Sequence, residues 1–264
     1  MDKSMQLPGV HCYGDRQQAP LLLLHSSQSN SGQWRGLIEQ IQTQRFVIAV
    51  DLYGYGQAPA TPASDFFRFS VEVERLQAII EALAITQPLT LVGHSYGGAL
   101  ALKLALQQPF AVDRLAVYEP VAFNVLAEDS PARAEIFSVS EQVETLDERG
   151  ATRAFVDYWN DAGFFDALPS RIQTLMVQQN AKVSLDFQAL INEPLGLADY
   201  AAIEQPTLLL QGRYSRRSAH AVAQALSTVL ANLQQVTIAA GHMGPITHAE
   251  EVNTHLLAFL LASK

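Results

Sequence analysis

The stretch Leu89-Thr90-Leu91-Val92-Gly93-His94-Ser95-Tyr96-Gly97-Gly98-Ala99 decides the fold of this chain. Its first four residues are apolar or β-branched and read as a strand buried on both faces. Residues 99–106 are apolar nearly all round apart from Lys103, the pattern of a well-buried helix. Between them stands Ser95, with a glycine two residues away on either side. A sharp turn from strand to helix lifts that side chain to the carboxyl edge of a sheet, and Gly93 and Gly97 remove the Cβ atoms where backbones must pass closely. Gly-x-Ser-x-Gly alone is a common chance match. The preceding strand, the following helix and the extra Gly98 turn it into a signal for an exposed serine nucleophile, which also needs a base and oxyanion donors.

The pattern repeats outward from this turn. Short runs at 10–13, 21–24, 46–50, 115–118, 207–210 and 236–239 are four or five residues long, nearly all apolar, and bounded by Gly, Pro or polar residues. The first two, with Gly14-Asp15-Arg16 between them, read as two strands joined by a turn. Helices are predicted over 71–83, where Val71, Leu76, Ile79, Ile80 and Leu83 fall near one face, and over 219–230 and 250–261. Strands alternating with helices predict an α/β fold with a mostly parallel, doubly wound sheet. The alternation breaks once. No strand-like run occurs from 123 to 199, where helices are predicted over 132–149, 152–160, 168–181 and 185–191. The expected organisation is a core of residues 1–122 and 200–264 with a helical insertion, 123–199.

Composition narrows the function classes. With 264 residues, 48% of them hydrophobic, the chain can bury a sizeable core. A single cysteine, Cys12, allows no intramolecular disulfide framework. The net charge of −9 comes without the basic stripe that nucleic acid requires. No apolar run approaches the ~20 residues that span a bilayer, and residues 1–8 hold no stretch of signal-peptide length, so a soluble cytoplasmic protein is expected. Between Glu119 and Asp166 there are eleven acids against three bases, read either as a solvated helical face or as a lid that discourages anionic substrates. No dinucleotide fingerprint, P-loop lysine or His-Glu-x-x-His cluster is present, so neither cofactor nor metal is expected, and the partner is a small-molecule substrate.

Four landmarks in order give the chain its resemblance to the α/β-hydrolase superfamily. Leu21-Leu22-Leu23-Leu24-His25, with Trp34 downstream, is like the strand entering the oxyanion loop. Asp51-Leu52-Tyr53-Gly54-Tyr55-Gly56 is similar to the D-x-x-G-x-G segment, Gly93 to Gly97 to the nucleophile elbow, and Gly241-His242-Met243 to the catalytic-histidine loop. The resemblance implies that the insertion forms a cap over an active site. It also implies the chain order serine, acid, histidine, which makes His242 the candidate base. An imidazole suits that task near neutral pH. His220, His248 and His255 fall on or just before predicted helices and suit surface or packing roles; His11 lies in the first strand, and His94 is expected to orient the elbow.

The acid departs from the usual pattern. Many superfamily members carry an aspartate after the strand corresponding to 207–210, but here the segment is Gln211-Gly212-Arg213-Tyr214-Ser215-Arg216-Arg217, without a carboxylate. Some members, haloalkane dehalogenases among them, place the acid after the neighbouring strand, which here points to Glu119. The alternatives are Asp199 or no acid at all; Asp51 is expected to organise its own turn. The resemblance implies oxyanion donors at the amides of Tyr96 and Ser27, the latter in a loop that carries His25-Ser26 where the family usually has His-Gly. His25, Phe123, Trp159 and Met243 are expected to line the substrate pocket. Phe155, Tyr158, Phe164, Phe165 and Phe187 are expected mainly in the insertion's core. A serine hydrolase of small apolar esters or lactones is therefore expected, against hydrolysis of a carbon–carbon bond as in meta-cleavage-product hydrolases, acyl transfer to another acceptor, or a small-molecule receptor on the same fold. Dehalogenation and epoxide opening are disfavoured, because in this superfamily they resemble chemistry that needs an aspartate nucleophile.

Overall fold

Seven strands form one sheet in the order β1-β3-β2-β4-β5-β6-β7 in a computed structural model that describes residues 7–63 and 66–262. The strands are β1 (Val10–Tyr13), β2 (Pro20–Leu24), β3 (Phe46–Val50), β4 (Leu89–His94), β5 (Val112–Tyr118), β6 (Thr207–Gly212) and β7 (Leu233–Ile238). Every residue of β2, β3 and β4 is buried. This is why these strands read as unbroken apolar runs rather than as alternating ones. All neighbouring pairs are parallel except β1 with β3. The turn after β1 therefore does not make a hairpin with β2. The chain crosses over, and β1 pairs beyond β3 at the sheet's edge. Residues 1–6, part of the stretch read for a leader segment, lie outside the described residues.

Core helices α1 (Arg35–Ile41), α2 (Phe69–Ala82) and α3 (Tyr96–Gln107) precede β5. Between β5 and β6 come α4 (Pro131–Thr145), α5 (Glu148–Trp159), α6 (Phe164–Ala167), α7 (Ser170–Gln178) and α8 (Asn180–Ile191); α9 (Arg217–Ser227), α10 (Gly244–Thr247) and α11 (Ala249–Leu260) close the chain. The single helix predicted over 132–149 is broken: α4 ends at Thr145 with Leu146 as its C-cap, and Asp147 caps the next helix, accepting from Gly150 N–H at 2.7 Å. A second break falls at Gln179, so the final helix of the insertion starts at Asn180. The last strand begins earlier than its apolar run, taking in Gln234 and Gln235, because β7 is an edge strand whose outer positions are solvated. Lys103, the one charged residue on α3, is buried and paired with Glu193 at 2.7 Å.

β2 touches both β3 and β4, so after β3 the chain must cross over β2 to reach β4. Sheets of this kind form a crevice at the carboxyl ends of such strands. Here the loops after β2 and β4 meet. A Cβ built on Gly97 would stand 2.4 Å from His25 O and 2.6 Å from Leu24 O. Gly97 thus lets the turn that carries Ser95 rest directly on the end of β2.

Two fully buried histidines brace this edge. His25 donates from Nδ1 to Ser26 O at 2.7 Å and accepts Leu52 N–H at Nε2 at 2.9 Å, joining the loops that follow β2 and β3. His94, at the end of β4, lies 2.9 Å from His242 O through Nε2. Burial holds the His25 imidazolium pKa down to about 4 against its ordinary 6.5, outweighing the Ser26 carbonyl and the nearby Asp51 and Asp186. His94 is held well below 6.5, again first by burial and then by its neighbour His242. An unfolded chain therefore binds protons here that the folded chain refuses. The stability these neutral rings contribute is complete above about pH 6.5 and is lost as the pH falls toward 4. For His25 alone the loss is of the order of 3 kcal/mol. Denaturant unfolding measured from pH 7 to 4.5 is expected to show stability falling through this window with an uptake of at least about one proton on unfolding. A flat profile between pH 6.5 and 5 would contradict this account of the two rings.

Candidate active site

Ser95 sits at the turn between β4 and α3 with φ 54° and ψ −119°. This is a conformation an L-residue adopts only when its surroundings enforce it. Its N–H donates to Tyr118 O at 3.0 Å, and around the turn Gly93 and Gly97 leave no room for an added Cβ atom while Gly98 packs tightly on Pro120. Its hydroxyl is 2.9 Å from His242 Nε2. The other ring nitrogen, Nδ1, is 2.7 Å from Glu119 Oε2. A carboxylate can only accept, so Nδ1 carries the proton and Nε2 is free to receive one from the serine.

Glu119 follows β5 directly, with φ 42°, in the left-handed region. Its N–H pairs with Leu210 O at 2.9 Å and its Oε1 accepts Gly212 N–H at 2.6 Å, both on β6. The carboxylate is thus held at both oxygens, 1% exposed, between the histidine and the end of the neighbouring strand. Ser215, in the segment after β6 that lacks a carboxylate, has a buried hydroxyl without a hydrogen-bond partner among the described residues. Asp199 lies elsewhere, accepting Gly196 N–H at 2.6 Å. Asp51 organises its own turn through Ser31 N–H and Gln57 N–H.

The histidine loop is fixed from two sides. Tyr118 OH donates to Gly241 O at 2.7 Å, and a Cβ on Gly244 would stand 2.1 Å from that hydroxyl. The indole of Trp159, at the end of α5, stacks on the His242 ring with centroids 3.9 Å apart. The inserted helices therefore come down directly onto His242, whose imidazole is only 3% exposed.

Two small cavities touch Ser95. The outer, about 50 Å³, is lined by Ser26, Ser27, Phe155, Trp159, His242 and Met243 among others. The inner, about 10 Å³, lies between Ser27, Phe123, Val183, Asp186 and Leu190. Phe123, Trp159 and Met243 thus stand on cavity walls, whereas His25 does not: it is fully buried with both ring nitrogens engaged in bracing loops. Phe155 and Phe187, expected in the insertion's core, also reach these walls. The amides of Ser27 and Tyr96 have no hydrogen-bond acceptor among the described residues. A larger hollow of about 510 Å³, bordered by His11 and Arg35, includes none of these groups.

Sequence reasoning missed Asp186 on α8, whose Oδ2 accepts from Ser27 Oγ at 2.6 Å and from Tyr55 OH at 2.7 Å. Its other oxygen pairs with Lys182, which lies 3.4 Å from Glu72 on α2. A Lys-to-Asp spacing of four on a helix reads as an exposed surface pair, so the sequence carried no sign of this buried cluster. Among the described residues no group of three His, Cys, Asp or Glu side chains is arranged to hold a metal ion, and no helix is long and apolar enough to cross a membrane.

The chain is similar to known proteins in sequence and in fold. The chain is 35% identical over 99 residues to a 2-hydroxymuconate semialdehyde hydrolase of Pseudomonas sp. strain CF600, covering 36% of this chain and 34% of that protein. It is 30% identical over 118 residues to a haloalkane dehalogenase of Agrobacterium fabrum, covering 44% and 37%. The chain thus spans about a third of the length of these curated relatives. The fold superposes on the enol-lactonase of Burkholderia xenovorans LB400 with a TM-score of 0.79 at 17% identity, over 96% of each chain. Residues 19–249 match the family described by the alpha/beta hydrolase fold, and the chain belongs to that family.

Proposed function

We propose that this protein is a serine hydrolase that cleaves small, neutral esters or lactones through an acyl-enzyme. The observation that carries the reading is the buried chain from Ser95 Oγ to His242 Nε2 at 2.9 Å and from Nδ1 to Glu119 Oε2 at 2.7 Å. In this reading His242 takes the Ser95 proton as the oxygen attacks the substrate carbonyl carbon. Glu119 holds the productive tautomer and stabilises the imidazolium that forms. The amides of Tyr96 and Ser27 receive the developing oxyanion. Collapse of the tetrahedral intermediate breaks the bond to the leaving alcohol, which leaves with the proton from His242. Water then gives a proton to the same nitrogen as it attacks the acyl carbon, and the bond to Ser95 Oγ breaks as that oxygen takes the proton back from His242, releasing the acid and the free Ser95 hydroxyl.

Cavity chemistry supports the substrate class. The walls are mostly apolar, the charged group on the inner wall is the Asp186 carboxylate, and Arg and Lys are absent from the described lining of both cavities. An acyl group carrying its own carboxylate would meet repulsion there. This weighs against the carbon–carbon hydrolysis reading, which takes its support from the name of the Pseudomonas relative, because a hydroxymuconate is itself anionic. Residues 123–199 act as the cap in this reading, with Trp159 excluding water from the imidazole.

Replacement of Glu119 by Gln removes the negative charge while keeping the size of the side chain. Turnover of p-nitrophenyl acetate by Glu119→Gln is expected to fall by roughly 10³–10⁴ in kcat, with unchanged far-UV circular dichroism. Near-wild-type turnover by the folded variant would remove Glu119 from the triad.

A further inference from the structure

The oxyanion loop is gripped by the inserted helices at two consecutive residues. Ser27 donates its hydroxyl to Asp186 on α8, and Gln28 donates from Nε2 to Met176 O on α7 at 3.0 Å. Gln28 has φ 54°, so the loop holds a left-handed turn with a residue that disfavours it. Asp186 is 2% exposed and shares the inner cavity wall with Ser27 and Ser95. Burying a carboxylate is costly unless it is paired and hydrogen-bonded. Here the cost is met by Lys182 on one oxygen and by two hydroxyls on the other. A buried ion pair is seldom more stable than the apolar residues that could replace it. Its position against the nucleophile points to a geometric role.

Ser27 has one hydroxyl proton, and a bond to an ionised carboxylate is roughly twice as strong as one to a neutral acceptor. That bond fixes the Ser27 side chain and, through its Cα, the peptide plane whose N–H faces no acceptor among the described residues. Tyr55 OH on the same oxygen fixes the carboxylate against the loop after β3. Lys182, bridging Asp186 to Glu72, seats α8 on the core helix α2.

We infer that Asp186 is a positioning residue for the oxyanion loop: it clamps Ser27 through the hydroxyl, so the loop amide is in place only while α8 is seated. The inference rests on the serine-hydrolase reading. Its consequence is that closure of the cap and completion of the oxyanion hole are a single event, and a substrate that meets an open cap meets an incomplete site.

A double-mutant cycle with Ser27→Ala and Asp186→Ala tests the clamp, read as kcat and KM on p-nitrophenyl acetate. Ser27→Ala keeps the amide and removes only the hydroxyl. Each single variant is expected to lower kcat by about 10- to 100-fold with KM within about twofold, as misplaced catalytic groups do. The double variant should be no slower than the slower single one. Asp186→Asn, which keeps an acceptor oxygen, should recover most of kcat. Wild-type kcat in Ser27→Ala, or losses that multiply in the double variant, would overturn the clamp and leave Asp186 a partner of Lys182 only. If Asp186→Ala does not fold, Ser27→Ala and Asp186→Asn decide the matter by the same criteria. A wild type no more active than Ser95→Ala would overturn the serine-hydrolase reading itself, and the clamp with it.

Discussion

The contact between the Glu119 carboxylate and the His242 imidazole is the constraint around which this structure is arranged. It joins residues 123 positions apart, across the loops that end β5 and β7. It exists because β5 lies between β4 and β6, so the ends of three neighbouring strands open onto one edge. β4 delivers the serine, β5 the acid, and β6 supplies the Gly212 amide that holds the acid's second oxygen. Both Ser95 and Glu119 have positive φ. Backbone conformations of this cost persist only where the surroundings over-determine them. Here the surroundings are glycines that admit close backbones on one side and Trp159 stacked on the imidazole on the other.

The edge is also stiffened by groups that take no part in the proposed chemistry. His25 and His94 spend their ring nitrogens on loops that carry the site, and their burial keeps them neutral. Tyr118 anchors Gly241 beside the base. The inserted helices add the Asp186 cluster on the other flank of Ser95, so Ser95 lies between the Glu119 carboxylate bonded to His242 and the Asp186 carboxylate bonded to Ser27. Glu119 is attached to the sheet, whereas Asp186 is attached to elements that lie outside it.

Much of this was legible before any coordinates. The strand, the glycines and the buried helix around Ser95 are local signals, and local signals survive in one dimension. The same holds for the strands with both faces buried, because they leave continuous apolar runs. The contact of Glu119 with His242 was legible through the place of Glu119 after a strand and through the missing carboxylate near Ser215. The two strands around the turn after β1 were legible, but their pairing was not, because pairing is decided by the whole sheet: β1 found β3 rather than its neighbour in sequence. His25 misled for a related reason, since a histidine at a strand end reads alike whether it faces a cavity or braces a loop. The helix breaks at Leu146 and Gln179 depend on caps and packing more than on periodicity. Asp186 was illegible, because burial turned an ordinary Lys–Asp helix pair into part of the site's wall.

Intact-mass measurement after exposure to a small fluorophosphonate tests the central claim most directly. The reagent reacts when an activated serine oxygen displaces fluoride from phosphorus, and it requires the base and the oxyanion donors but no knowledge of the substrate. A single phosphonyl adduct on the wild-type protein, absent from folded Ser95→Ala, is the predicted result. An unmodified wild type, or an adduct that persists in Ser95→Ala, would contradict the account.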